Sequence, residues 1–151
     1  MEETEIKTVI YALILALMLL APVKGLNVAN LEPVEVVYLR MDDDRVCIQT
    51  DTKAVGFGET ALKALENMEE RTPGVIYLDT AEYLLVDPNA LAYVEELRHK
   101  FKGKVKLCAA VDVDLSCAAE YLETHGNLPQ MKSWKTGDSL PLWNGEKILK
   151  K

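Results

Sequence analysis

Val111-Asp112-Val113-Asp114 is the stretch with the most chemistry to offer. Its two carboxylates, one residue apart just past an apolar run, are the candidates for catalysis. The competing reading is local, with Asp114 capping a helix and Asp112 turning the chain at a strand end. Asp42-Asp43-Asp44 gathers charge that a hard cation favours. It lacks the alternating ligands and the glycine of a calcium loop, so it reads as a solvated hairpin turn. Cys47, Cys108 and Cys117 sit in or beside apolar patterns and read as buried thiols. Cys108 and Cys117 are the pair open to a disulfide if the chain is exported. His99 lies on a charged helix face and His125 in a helix-ending turn, so solvent and capping roles suit them. Gly56-Phe57-Gly58 is a partial glycine loop without the Lys and Ser/Thr of a phosphate loop. Trp134 and Trp143 stand in a polar tail, either as local core plugs or as a protein contact surface. They are the residues expected to carry partner contact, because aromatics dominate interface energetics. No nucleophile, base and oxyanion site assembles, and no metal or cofactor motif is present; a binding module is expected rather than an enzyme.

The elements that would hold these residues follow from periodicity. Val34–Leu39 and Val46–Thr50 read as strands joined by the acidic turn. Phe57, Ala61, Leu62, Leu65 and Met68 recur at helical spacing, which predicts a helix over Glu59–Arg71, stopped by Thr72-Pro73-Gly74. Val75–Leu78 and Tyr83–Val86 read as one kinked strand or two short ones. Asp87-Pro88 starts a helix with a buried stripe of Leu91, Val94, Leu97 and Phe101. Val105–Val111 is a strand, and Asp114 or Ser116 caps a helix closed near His125-Gly126. Asn144-Gly145 between Leu140–Trp143 and Glu146–Leu149 favours a hairpin. The order β-β-α-β-α-β-α predicts an α/β fold of mixed layers. It would have a central mixed sheet and two to three packed helices, preceded by an N-terminal hydrophobic helix. The expected division is a hydrophobic segment over 1–25, a linker over 26–33, an α/β domain over 34–127 and a tail over 128–151.

Composition bounds the function. The chain has 151 residues, 49% of them hydrophobic, which suffices for one domain with a core. Lys and Arg number 17 against 24 Asp and Glu, a net charge of −7. That charge opposes binding to phosphate backbones and excludes nucleic acid as the expected partner. Three cysteines without a CxxC exclude a disulfide-stapled fold and a zinc ribbon.

Val9–Ala21 is an unbroken apolar run of 13 residues. As a helix it spans roughly 20 Å, short of the roughly 30 Å bilayer core. Its length suits an export signal, although Glu2, Glu3 and Glu5 precede it where positive charge is usual. A core helix is the alternative. The run is apolar on every face, which a domain this small rarely encloses, so a signal or anchor is expected. Residues 9–23 would then meet the membrane, and the rest would lie at the cell membrane or outside the cytoplasm.

Two resemblances sharpen these expectations. The stretch from about Asp51 to Pro129 resembles the N-terminal domain of the C subunit of bacterial spore germinant receptors, the Ger(x)C family. The matching features begin with glycine leading into Thr60-Ala61-Leu62-Lys63-Ala64-Leu65, then Ile76-Tyr77-Leu78 and Glu82-Tyr83-Leu84-Leu85-Val86. The strand Val105–Val111 follows, then Ala118-Ala119-Glu120-Tyr121-Leu122 and Leu128-Pro129. The family usually shows a His near Thr80, a lipid-bearing Cys after the signal and two further domains. Residues 9–25 contain no Cys. The resemblance implies a single-domain relative with no catalytic residues, part of a membrane receptor complex in germination or sporulation. The second is between Asp112-Val113-Asp114 and the haloacid-dehalogenase phosphatase signature, in which the first Asp attacks phosphorus and the second acts as acid/base. There the motif opens the fold and is followed by a Lys and an acidic metal pair, whereas only 37 residues follow Asp114. A small Asp-dependent phosphatase is the alternative function, and a cytosolic structural protein with a buried first helix is the third.

Overall fold

The computed structural model describes residues 3–20, 28–101, 105–129 and 142–150. Helix α1 (Glu3–Leu20) comes first, followed by a 3-10 turn at Val28–Asn30 and strand β1 (Leu31–Pro33). Strands β2 (Val36–Asp42), β3 (Arg45–Thr50) and β4 (Val55–Gly58) form a meander. Helix α2 (Ala61–Arg71), strand β5 (Val75–Tyr77) and strand β6 (Tyr83–Val86) follow. Then come α3 (Val94–Leu97), β7 (Lys106–Ala110), α4 (Leu115–His125), β8 (Leu142–Trp143) and β9 (Ile148–Lys150).

The main sheet has seven strands in the order β4-β3-β2-β6-β7-β8-β9. Its centre is parallel, with Val36 opposite Tyr83 and Leu84 opposite Leu107, while β3, β4 and β9 pair antiparallel. This is the expected α/β fold with a mixed sheet. The central strands are apolar without alternation because both faces are covered: all four residues of β6 are buried, as are Leu107–Ala110. One face joins Val37, Leu39, Leu84, Val86 and Leu107 to Leu65 and Met68 of α2 and Val94 and Leu97 of α3. The other joins Tyr38, Tyr83, Leu85 and Cys108 to Leu115 and Ala118 of α4, with Leu128 and Trp143.

Local chemistry explains the element ends. Thr60 caps α2 by accepting from Lys63 N at 3.3 Å. Glu96 reaches across from α3, and its Oε2 accepts from Ala61 N at 3.0 Å, so one helix supplies the other's N-terminal acceptor. Asp87 and Asp114 cap their helical segments, and Gly126 ends α4 in the left-handed region at φ 74°. The glycines of the partial loop are strand residues. A Cβ on Gly56 would stand 2.6 Å from Met68 Cβ, and one on Gly58 would stand 2.7 Å from the Lys63 carbonyl carbon. Their missing side chains let α2 lie directly on β4.

The structure departs from the sequence reading in the helix after Asp87 and in the linker, and it gives the second of the two readings of the runs around Asp79. The helix expected from Asp87 to Gly103 is a 3-10 segment over Pro88–Tyr93, one α turn and a second 3-10 turn over Arg98–Lys100. Leu31–Pro33, expected within a linker, is β1, which pairs parallel with β5 in a separate two-stranded sheet. The two apolar runs around Asp79 are therefore separate strands in different sheets, divided by a 3-10 turn at Leu78–Thr80. The described part of the tail is the expected hairpin, and β8 joins it to the main sheet beside β7. Asn144 Oδ1 accepts from both Glu146 N and Lys147 N within its turn.

One edge of the main sheet is β4, and there the backbone N–H of Phe57 donates to Asn67 Oδ1 of α2 at 3.1 Å. Helix α1 behaves differently from every other helix. Its described side chains stay exposed, including Val9 at 59% and Tyr11 at 72%, and none belongs to either core. Among the described residues no helix is long and apolar enough to cross a membrane. Within its 18 residues α1 also carries Glu3, Glu5 and Lys7.

Candidate functional site

The parallel strands end at Asp87 and Asp112. Beyond β6 the chain turns to the α3 face and beyond β7 to the α4 face, so the two neighbouring strands send their connections to opposite sides of the sheet. Tyr38 of β2 is buried on the α4 side, and its hydroxyl meets the backbone N–H of Val113. Burial, then the nearby Asp87 carboxylate, pushes this phenol up to about 12. Asp112 turns the chain with φ 50°, a conformation Asp tolerates better than most residues, and its side chain is exposed. Asp114 Oδ1 accepts from Ser116 N at 3.0 Å. That backbone bond, with a second from the Ser116 side chain, holds its carboxyl below the ordinary range.

This geometry assigns Asp112 and Asp114 the local roles weighed for them, turn and cap. A carboxylate engaged in capping is a poor proton carrier, because its depressed affinity opposes protonation near neutrality. Among the described residues no three His, Cys, Asp or Glu side chains are arranged to hold a metal ion. Asp43 sits in the β2–β3 turn at φ 52°, as a hairpin residue does.

All three cysteines are free. Cys108 is buried on β7, where burial pushes its thiol up to about 12 and its Sγ donates to the Pro129 carbonyl. Cys47 is buried on β3, and burial raises its thiol as well. Cys117 is half-buried on α4. His99 is exposed, and His125 stacks on Tyr121 with ring centroids 4.1 Å apart.

Trp143 is fully buried in the second core, where Tyr121 meets it edge-on at 5.0 Å. It presents no surface to a partner, so of its two readings the structure gives the core plug and corrects the expectation of contact. The cause is β8, which aligns Trp143 with Ala110 of β7 and carries its indole under α4. Trp134 lies outside the described residues.

Among the described residues there are open cavities, two of them of similar size. One, about 290 Å³, lies between α4 and the β8–β9 turn, lined by Cys117, Glu120, Tyr121, Thr124, His125, Gly145 and Glu146. The other, about 330 Å³, lies where β1 meets the end of α2 and is lined by Glu32, Lys53, Arg71 and Thr72 among others. In the first, Cys117 and His125 stand eight residues apart on α4, about 12 Å along its axis, too far for one to activate the other. Periodicity alone does not reveal either cavity, because both form between segments far apart in the chain.

Compared with protein families, curated proteins and solved structures, the chain matches none. Exposed apolar side chains mark its described surface. Besides α1, Val75 and Tyr77 of β5 and Ile148 and Leu149 of β9 are exposed.

Proposed function

We propose that this is a non-catalytic protein-interaction domain held at a membrane by its N-terminal apolar segment. The observation that carries the reading is the exposure of α1. Ile6, Val9, Ile10, Tyr11, Leu13 and Ile14 all face solvent beside a domain that has completed two cores without them. Each large apolar side chain left in water forgoes about 1.5–3 kcal/mol relative to burial. A helix with six of them calls for an apolar phase outside the domain, and a bilayer provides one. Since α1 carries charge in its first turns, attachment would draw on residues 9–23 rather than on the whole helix.

The surface of α4 and the β8–β9 hairpin is where we propose the partner contact. There the Tyr121–His125 stack borders an open cavity, and Ile148 and Leu149 of β9 are exposed. A role in a germination or sporulation receptor complex remains part of this proposal, supported by the Ger(x)C resemblance over Asp51–Pro129.

Fractionation tests the attachment. The full chain is expected in the membrane fraction and to resist extraction by high salt, whereas deletion of residues 1–25 releases a folded domain. Recovery of the intact full chain in the soluble fraction overturns the reading.

A further inference from the structure

We infer that the outward face of the β1–β5 sheet is a second, lipid-facing surface that lies on the bilayer beside the anchor. This inference rests on the membrane attachment proposed above and adds to it which side of the domain meets the lipid.

Register carries the argument. In the parallel pair Leu31 stands opposite Val75, Glu32 opposite Ile76 and Pro33 opposite Tyr77. Side chains directly opposite one another in a sheet share a face. Leu31, Val75, Pro33 and Tyr77 therefore line one face and Glu32 and Ile76 the other. Ile76 is buried in the first core, which fixes the second set as the inner face. The outer face is apolar at all four positions, with Val75 48% and Tyr77 38% exposed. Sheets that face water normally alternate apolar-in and polar-out, and here the outward position is apolar every time.

The sheet is held firmly enough to present that face. Thr80 Oγ1 accepts from Val34 N at 3.1 Å and lies 2.9 Å from Val34 O and 3.0 Å from Tyr77 O. One hydroxyl thus ties the ends of both strands.

Chain length selects the occupant. Helix α1 ends at Leu20 and β1 begins at Leu31. Eleven residue steps reach at most about 40 Å, so a lipid-held α1 keeps β1, the first strand after it, within that distance of the same surface. Tyrosine beside Pro and aliphatic residues suits the headgroup boundary, where a ring has an apolar body and a wet tip. Charge decides the mode of contact. The chain carries a net −7, and Glu32 lies on the inner face of this sheet. Attraction to anionic headgroups does not drive the contact; insertion of apolar side chains does, so zwitterionic lipid suffices.

The experiment uses the full chain carrying Tyr77→Trp in phosphatidylcholine vesicles, with and without bromine on the acyl chains. Wild type supplies the background from Trp134 and Trp143. The expected result is co-flotation with the vesicles, a blue shift of the added emission and its loss in brominated lipid, unchanged by added salt. Adding Val75→Asp should restore the emission while flotation persists. Because Val75 is exposed, this variant is expected to keep the wild-type circular dichroism. Flotation without quenching overturns the inference and leaves the anchor standing. Failure to float overturns both. A blue shift that appears without vesicles and grows with protein concentration identifies a second copy as the occupant and also overturns the inference.

Discussion

Trp143 shows how one side chain changes meaning with its surroundings. In sequence it is an aromatic in a polar tail; in the fold it is the largest fully buried side chain among the described residues. Trp143→Ala is expected to cost about 3–5 kcal/mol, as aromatic truncations in cores do. Chemical denaturation measures this, and a loss below about 1 kcal/mol would return the residue to the surface. Tyr38 gives a prediction in pH. Its pKa in the fold is raised to about 12, while an unfolded tyrosine ionises near about 10. A raised acid contributes its stabilisation in full below the unfolded value and loses it as pH climbs through the folded one. Wild type should therefore lose stability relative to Tyr38→Phe between about pH 10 and pH 12, with no such divergence between about pH 7 and pH 9. Parallel profiles across the alkaline range would count against the buried phenol. The caps were legible in the sequence, since Asp114 and Asp87 declare themselves by residue type and position. The Tyr38 environment was not, because Asp87 and Val113 reach it from distant parts of the chain.

At the scale of elements, what the sequence showed best was what repeats locally. Strand β3, helices α2 and α4 and the C-terminal hairpin fall close to where apolar spacing and turn residues put them. Strand β4 escaped notice because two of its four residues are glycine, which weakens any strand pattern. Their purpose depends on a helix lying over them. Gly56→Ala is expected to destabilise the protein by more than the roughly 1 kcal/mol typical of point substitutions, since its Cβ would meet Ala64 and Met68 of α2. Thermal melting checks this, and an unchanged midpoint would mean that α2 can lift from the strand at little cost. Strand β1 was equally hidden. Three residues ending in proline read as a linker, and only a partner more than forty residues away makes them a strand.

For the whole molecule, the α/β class could be read from the order of elements, whereas the layout of the surface could not. Both cores are closed by segments far apart in the chain, and the same closure leaves α1 and the outer face of β1–β5 uncovered. The described side chains of α1 join neither core, and among the described residues no helix is long and apolar enough to cross a membrane. That intermediate character explains why length arithmetic alone left signal, anchor and core all open. The proposed contact with lipid on one side and with protein at the hairpin would give the domain two working surfaces.

The bond from Phe57 N–H to Asn67 Oδ1 has a consequence for behaviour in concentrated solution. An unsatisfied donor on a terminal strand is an invitation for another chain to stack on, and repeated stacking is how fibrils grow. Asn67 occupies that donor with a side chain of its own molecule. Asn67→Leu is expected to leave the monomer folded yet raise its tendency to form dye-binding aggregates, as followed by light scattering. If the variant remains as clear in solution as its parent, that amide is no guard against polymerisation.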